Sequence, residues 1–160
     1  MRRKDKEISD WADIKAILEA ECILHMAMID GNEPYLVALN YGFDGKTLYF
    51  HSGKEGRKID ILSKSECCRV CFMVERYHGI VERATGSPVP SFTSRFQSVI
   101  GRGNVRRETD PETIRRELNR IIFQSTRKQT DYTFTACQGK TELFRIDIET
   151  ASGKQSAMDC

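Results

Sequence analysis

The chain has 160 residues, 39% hydrophobic and 30% charged, a balance that excludes a disordered chain and fits one globular domain over 1–160. A net charge of +2 is too small to mark a nucleic-acid binder, so any basic site must be local. No apolar run approaches the ~18 residues that a membrane span needs.

The charged start, Met1-Arg-Arg-Lys-Asp-Lys-Glu-Ile8, lacks the apolar core of a secretory signal. Residues 1–7 read as a solvated, flexible arm, and the expected location is the cytoplasm. Ile8, Trp11, Ile14 and Leu18 recur at helical spacing, with Ser9 or Asp10 as cap, predicting a helix over 10–20. Apolar runs at 22–29, 35–41 and 47–52 predict three strands. Asp30 to Pro34 and Asp44-Gly45 supply the tight turns of an antiparallel meander. Ile59 and Leu62 predict a short helix within 57–64, and 68–75 a fourth strand.

Residues 76–91 carry two glycines and two prolines with little periodicity and read as a loop. A fifth strand covers 96–106, where Gly101 and Gly103 imply a bulge or a close backbone approach. Asp110-Pro111 opens a helix whose apolar stripe is Ile114, Leu118, Ile121 and Ile122. Residues 124–140 are polar and resist assignment. Strict alternation over 142–149 gives a sixth strand, and 155–160 read as a flexible tail. Periodicity thus predicts a mainly β protein, a small antiparallel barrel with helices.

Six cysteines without a secretory signal suggest free thiols in a reducing compartment. Cys68-x-x-Cys71 lies inside a predicted strand. Its two thiols then point to opposite faces, which suits shared metal ligation poorly, so no metal site is expected. Tyr41 and Tyr49 read as core residues before rings that stack on a cofactor, His25 as packed or partly exposed, and His78 as a solvated loop residue before one that reaches an active site. Arg102, Arg106 and Arg107 read as a charged strand edge that discourages aggregation.

The segment with most chemical content is Tyr49-Phe-His-Ser-Gly-Lys-Glu-Gly-Arg-Lys-Ile-Asp60, which runs strand, polar turn, helix start. Arg57 and Lys58 beside free helix N–H groups form either an anion pocket suited to phosphate or a solvated basic turn. His51, between them and the strand, suits lining a cofactor, packing or proton transfer.

This segment resembles the phosphate-binding stretch of the pyridoxamine 5′-phosphate oxidase-like FMN-binding split barrels. The nearer likeness is to their nitroimidazole-resistance (Nim) type flavoprotein branch. Residues 1–8, 34–41, 96–103 and 146–154 resemble further stretches of that branch, in the same order. The resemblance implies a split barrel of about six antiparallel strands with two or three helices. It implies a homodimer with FMN held between subunits. It places Val37, Ala38, Leu39 and Asn40 at the isoalloxazine edge. His51 and Ser52 fall at the ribityl or phosphate region, and Arg57 and Lys58 on the phosphate. Ser98, with Gln97 beside it, falls near the flavin at the interface. The implied activity is hydride or two-electron transfer to or from a small organic molecule, nitro compounds included. No catalytic residue stands out. The alternative is a non-catalytic module holding flavin, deazaflavin or haem. Phe96 stands where the family strand usually has Tyr, which removes one hydroxyl. The stretch 124–140 looks shorter than the corresponding helix of relatives. No counterpart of the substrate-binding C-terminal segment of pyridoxamine phosphate oxidases is visible, which argues against pyridoxal phosphate synthesis.

Overall fold

Alternating apolar residues fold this chain into strands that bury one face, and in a closed sheet that face becomes the core. The computed structural model describes residues 3–83, 91–133 and 139–156. After a 3₁₀ turn at Lys4–Lys6 come β1 (Glu7–Ile8), α1 (Trp11–Ala20), β2 (Ile23–Asp30), β3 (Glu33–Phe43) and β4 (Thr47–Gly53). Then follow α2 (Arg57–Leu62), β5 (Cys68–Arg83), β6 (Ser91–Arg107), α3 (Pro111–Thr126) and β7 (Thr141–Ser156).

The strands order as β1-β7-β4-β3-β2-β5-β6, and a β7–β6 pairing closes six of them into a ring. Every ladder is antiparallel. This is a split barrel. Its interior holds Leu24, Met26, Tyr41, Leu48, Phe50, Phe72, Val74, Val99 and Ile146, all essentially buried. The Phe50 and Phe144 rings stack at 5.3 Å between centroids. Ile14, Ile17 and Leu18 of α1 join this core from one end. The Asp10 carboxylate accepts from the Ala12 N–H and so caps that helix.

Helix α3 lies outside the barrel over Tyr49 and Leu143, contacting them through Leu118 and Ile121. It comes close because Gly42 has no side chain: a Cβ there would stand 3.0 Å from the Ile121 nitrogen. Buried Gln124 accepts from the Phe43 N–H and donates to the Leu18 and Glu21 carbonyls, tying α3 to β3 and α1.

Three segments differ from the sequence reading. Residues 76–83, read as loop, continue β5, and β6 starts at Ser91; 84–90 lie outside the described residues. Gly79, at φ +98°, absorbs a bulge at which the register against β6 shifts, and pairing continues beyond it. The arm is not wholly solvated: Glu7 and Ile8 pair with Lys154 and Gly153. The tail is strand to Ser156, whose hydroxyl meets the Lys6 ammonium at 2.6 Å. These end segments support each other by contacts some 150 positions apart in sequence, which local periodicity does not register.

Candidate functional site

The barrel is split between β3 and β4. They pair only at Tyr41↔Phe50, Gly42↔Tyr49 and Phe43↔Leu48. Among the described residues, β3 pairs with β2 alone from Glu33 to Asn40. From His51 to Gly53, β4 pairs with β7 alone. Two strand edges therefore diverge from one point, and α2 begins just after β4.

The Tyr41 N–H donates to the Cys22 carbonyl, so its backbone groups face β2. Antiparallel alternation then turns Leu39 and Val37 the same way and leaves the backbone of Asn40 and Ala38 facing the open edge. The four residues expected there thus divide into two pairs. Leu39 is buried and Val37 half-buried against the core, whereas Ala38 and Asn40 are exposed. The Asn40 amide donates to the Cys22 carbonyl at 3.4 Å.

Across the split, Ser52 is buried and His51 faces outward. The Lys58 ammonium sits 5.8 Å from the Phe50 ring centroid and, among the described residues, makes no ion pair. Burial pushes the Lys58 ammonium below its ordinary range. Burial first, then the Lys58 charge, lowers the His51 pKa. His51 is exposed as a residue, but its ring lies against enough protein to lose hydration.

Arg57 has other partners. Its Nε donates to Asp30 at 2.9 Å and one terminal nitrogen to Glu33 at 3.1 Å. Its guanidinium lies 5.1 Å from the Tyr35 ring centroid. Lys64 meets the same Asp30 at 2.6 Å, and Lys64 then Arg57 hold that carboxyl below its usual range. Arg57 thus clamps α2 to the β2–β3 hairpin and leaves Nη1 without a partner among the described residues.

Ser98 and Gln97 lie elsewhere. His51 is opposite Leu143 on β7 and Ser98 is opposite Lys154, eleven residues further along. Eleven residues of strand span about 36 Å at ~3.3 Å each. Around the other side of the ring, β3, β2 and β5 intervene, and the packed core lies between. One chain does not bring Ser98 to His51. Gln97 points away from Ser98, into a cleft under α1.

The remaining residues singled out from sequence fall as follows. Tyr41 and Tyr49 are buried. His78 is exposed on β5, at the bulge. Arg106 and Arg107 pair with Asp147 and Glu142. Cys22, Cys67, Cys68 and Cys71 are free thiols; Cys68 packs on the core while Cys71 lines an outer cleft. Among the described residues no group of three His, Cys, Asp or Glu could hold a metal, and no helix is long and apolar enough to cross a membrane.

The ring of antiparallel strands with an opened β3 edge defines a split-barrel protein. The family described as pyridoxamine 5′-phosphate oxidase matches residues 10–155, and the chain belongs to it. Among solved structures it is similar to a candidate 5-nitroimidazole antibiotic resistance protein of Bacteroides thetaiotaomicron. That match has 28% identity over 92% of this chain and 85% of that one, with TM-score 0.77. The flavocytochrome Anf3 of Azotobacter vinelandii matches at 20% identity over 98% and 72%, TM-score 0.76. A FAD and heme binding protein of Mycobacterium smegmatis matches at 18% over 94% and 73%, TM-score 0.73. The last two show the fold alone. No curated protein matches.

The lowered His51 pKa has a measurable consequence. A histidine whose folded pKa is depressed contributes stability above its unfolded value, and loses it as pH falls through the folded one. In the cofactor-free protein the melting temperature should therefore fall as pH drops from about 7 to about 5. His51→Gln should show a shallower fall. Identical acid limbs in melting curves of the two proteins would remove the argument for a desolvated imidazole.

Proposed function

We propose that this chain is an FMN-binding flavoprotein. It works as a homodimeric oxidoreductase that moves a hydride or two electrons to or from a small organic molecule. The observation that carries the reading is the open β3 edge, which faces His51 and the unpaired Lys58 across the split. A planar heterocycle with hydrogen-bonding edges suits the free backbone groups of Ala38 and Asn40. A phosphate suits Lys58, with Ser52 and His51 beside it. The residues present fit FMN by this chemistry, and family membership supports it.

Bound flavin would supply the electron transfer, and the chain would supply position and charge. Backbone donors and acceptors at Ala38 and Asn40 would orient the ring. Lys58 would balance the phosphate, with Arg57 Nη1 reaching one further oxygen.

The dimer is supported by the outer face of β3, β2, β5 and β6. Ala38, His25, Met73 and Ile100 stand side by side in register across these four strands. Ile23, Leu36 and Ile100 on that face are 42%, 65% and 48% exposed, an apolar patch of the kind a partner covers. His25 Nδ1 is buried there without a hydrogen bond from the described residues. A second copy on this face would bring its own Ser98 toward the first copy's flavin, while its Gln97 stays turned inward under α1. The free thiols fit a reducing cytoplasm.

The test is purification followed by release of the chromophore and its identification by mass. Bound flavin is then mixed anaerobically with NADH or NADPH. Released FMN, bleached by either donor in a particle of twice the 18.3 kDa chain mass, is the expected result. A Soret band with no flavin overturns the reading. A flavin that no nicotinamide or nitro compound oxidises or reduces makes the chain a binding module instead.

A further inference from the structure

A second site lies at the mouth of the barrel beneath α1. Arg76, Gln97 and Gln155 stand side by side in register on β5, β6 and β7. They face inward, one layer beyond the apolar layer of Val74, Val99 and Gly153. With Asp13, Ala16 and Ile17 of α1 and Ile8 of β1 they line a half-open cleft of about 190 Å³. That is the liquid volume of about six waters, room for a molecule of roughly six to ten heavy atoms.

An inward layer of polar side chains is costly unless each finds a partner. Here Asp13 is exposed and Gln97 and Gln155 are half-buried, so their polar atoms are open to solvent and to a ligand. Among the described residues, nothing hydrogen-bonds or ion-pairs the side chains of Asp13, Gln97 or Gln155. Arg76 is the exception: its Nε donates to Glu21 at 2.6 Å, which fixes the guanidinium and leaves both terminal nitrogens available. The N-terminal arm and the β7 end are held in place by pairing of Ile8 with Gly153 and by the Lys6–Ser156 contact. The cleft therefore has a fixed apolar floor of Ile8 and Ile17. It has a cation on one wall, a carboxylate at the rim and two amides between.

We propose that this cleft binds a small zwitterion, a molecule carrying both a carboxylate and a protonated amine. The carboxylate meets the terminal nitrogens of Arg76, in the fork geometry that guanidinium offers. The amine meets Asp13, and the Gln97 and Gln155 amides take the remaining donors and acceptors. The cleft's lining shares no residue with the β3 edge, His51 or Lys58, so it does not depend on the flavin reading.

The experiment is saturation-transfer NMR on the purified full chain with whatever cofactor it carries. Glycine and β-alanine serve as two-ended probes, and acetate and methylammonium as one-ended ones. Both amino acids should bind, each at least about tenfold tighter than either one-ended probe, the effect of one lost charge-assisted contact. Asp13→Asn should weaken glycine about tenfold and leave acetate unchanged, while Gln155→Leu weakens all probes. Melting curves and flavin absorbance should match the parent in Asp13→Asn. Equal binding of one- and two-ended probes, no saturation transfer from any probe, or glycine binding indifferent to Asp13→Asn, overturns the proposal. Absent flavin absorbance would count only against the cofactor reading.

Discussion

Replacing Arg57 and Lys58 together by alanine should lower FMN affinity by about two to four orders of magnitude and leave riboflavin affinity almost unchanged. The phosphate is nearly doubly charged at neutral pH, and each charge-assisted contact contributes roughly 1.5–3 kcal/mol. At about 1.4 kcal/mol per decade, two contacts give the stated range. The two residues should not share the loss equally. Lys58 has no ion pair among the described residues and already lies in a partly desolvated position. Arg57 is committed to Asp30 and Glu33. Lys58→Ala should therefore cost more than Arg57→Ala. Asp30→Asn, which loosens Arg57, should recover affinity in a Lys58→Ala background. Titration of each variant with FMN and riboflavin by fluorescence quenching decides. If FMN holds its parental affinity in a folded double variant, the phosphate lies elsewhere.

Gly103→Ala should destabilise the protein by about 3 kcal/mol, a melting shift of roughly 6–12 °C for a chain of this length. A Cβ there would stand 2.4 Å from the Asp147 carbonyl oxygen and 2.9 Å from Ile146 Cγ2. The oxygen belongs to backbone in the β6–β7 ladder, which cannot rotate aside. The ladder shifts register at this point, between Arg102 and Gly103, so the strand is already bent. Gly53→Ala is the control. Nothing lies within 4 Å of its Cβ position, and the change should stay within ~0.5 kcal/mol. Equal melting curves for the two variants would contradict the packing at Gly103.

Gly103 also shows how much of the fold the sequence makes legible. Two glycines in an apolar strand already imply a close approach, and a bulge and a tight contact are both there. Asp110 before Pro111 marks the start of α3, and its carboxylate caps the Thr113 N–H at 2.9 Å. These are local signals. Non-local pairing is silent in the sequence, so the pairing of the arm, the β7 end and the β5–β6 extension is not legible there. The same limit holds at the site. Lys58 and His51 stand on adjoining elements, and their proximity is readable. The Asp30 and Glu33 carboxylates that occupy Arg57 come from a turn 24 to 27 residues earlier, where they look like ordinary turn chemistry. The polar layer under α1 draws on residues 13, 76, 97 and 155, which no window joins.

The opened β3 edge carries a cost in the cell. A strand of eight residues from Glu33 to Asn40 with one side unpaired among the described residues is a template on which another chain can add itself. Leu36 and Pro34 lie on that stretch. Proline blocks one donor, but Leu36 is 65% exposed and invites contact. Whatever fills the split, cofactor or second copy, also shields this edge. The yield of soluble protein should then follow flavin supply during expression, independently of any catalytic need, and cofactor-starved cells should accumulate the chain in inclusion bodies.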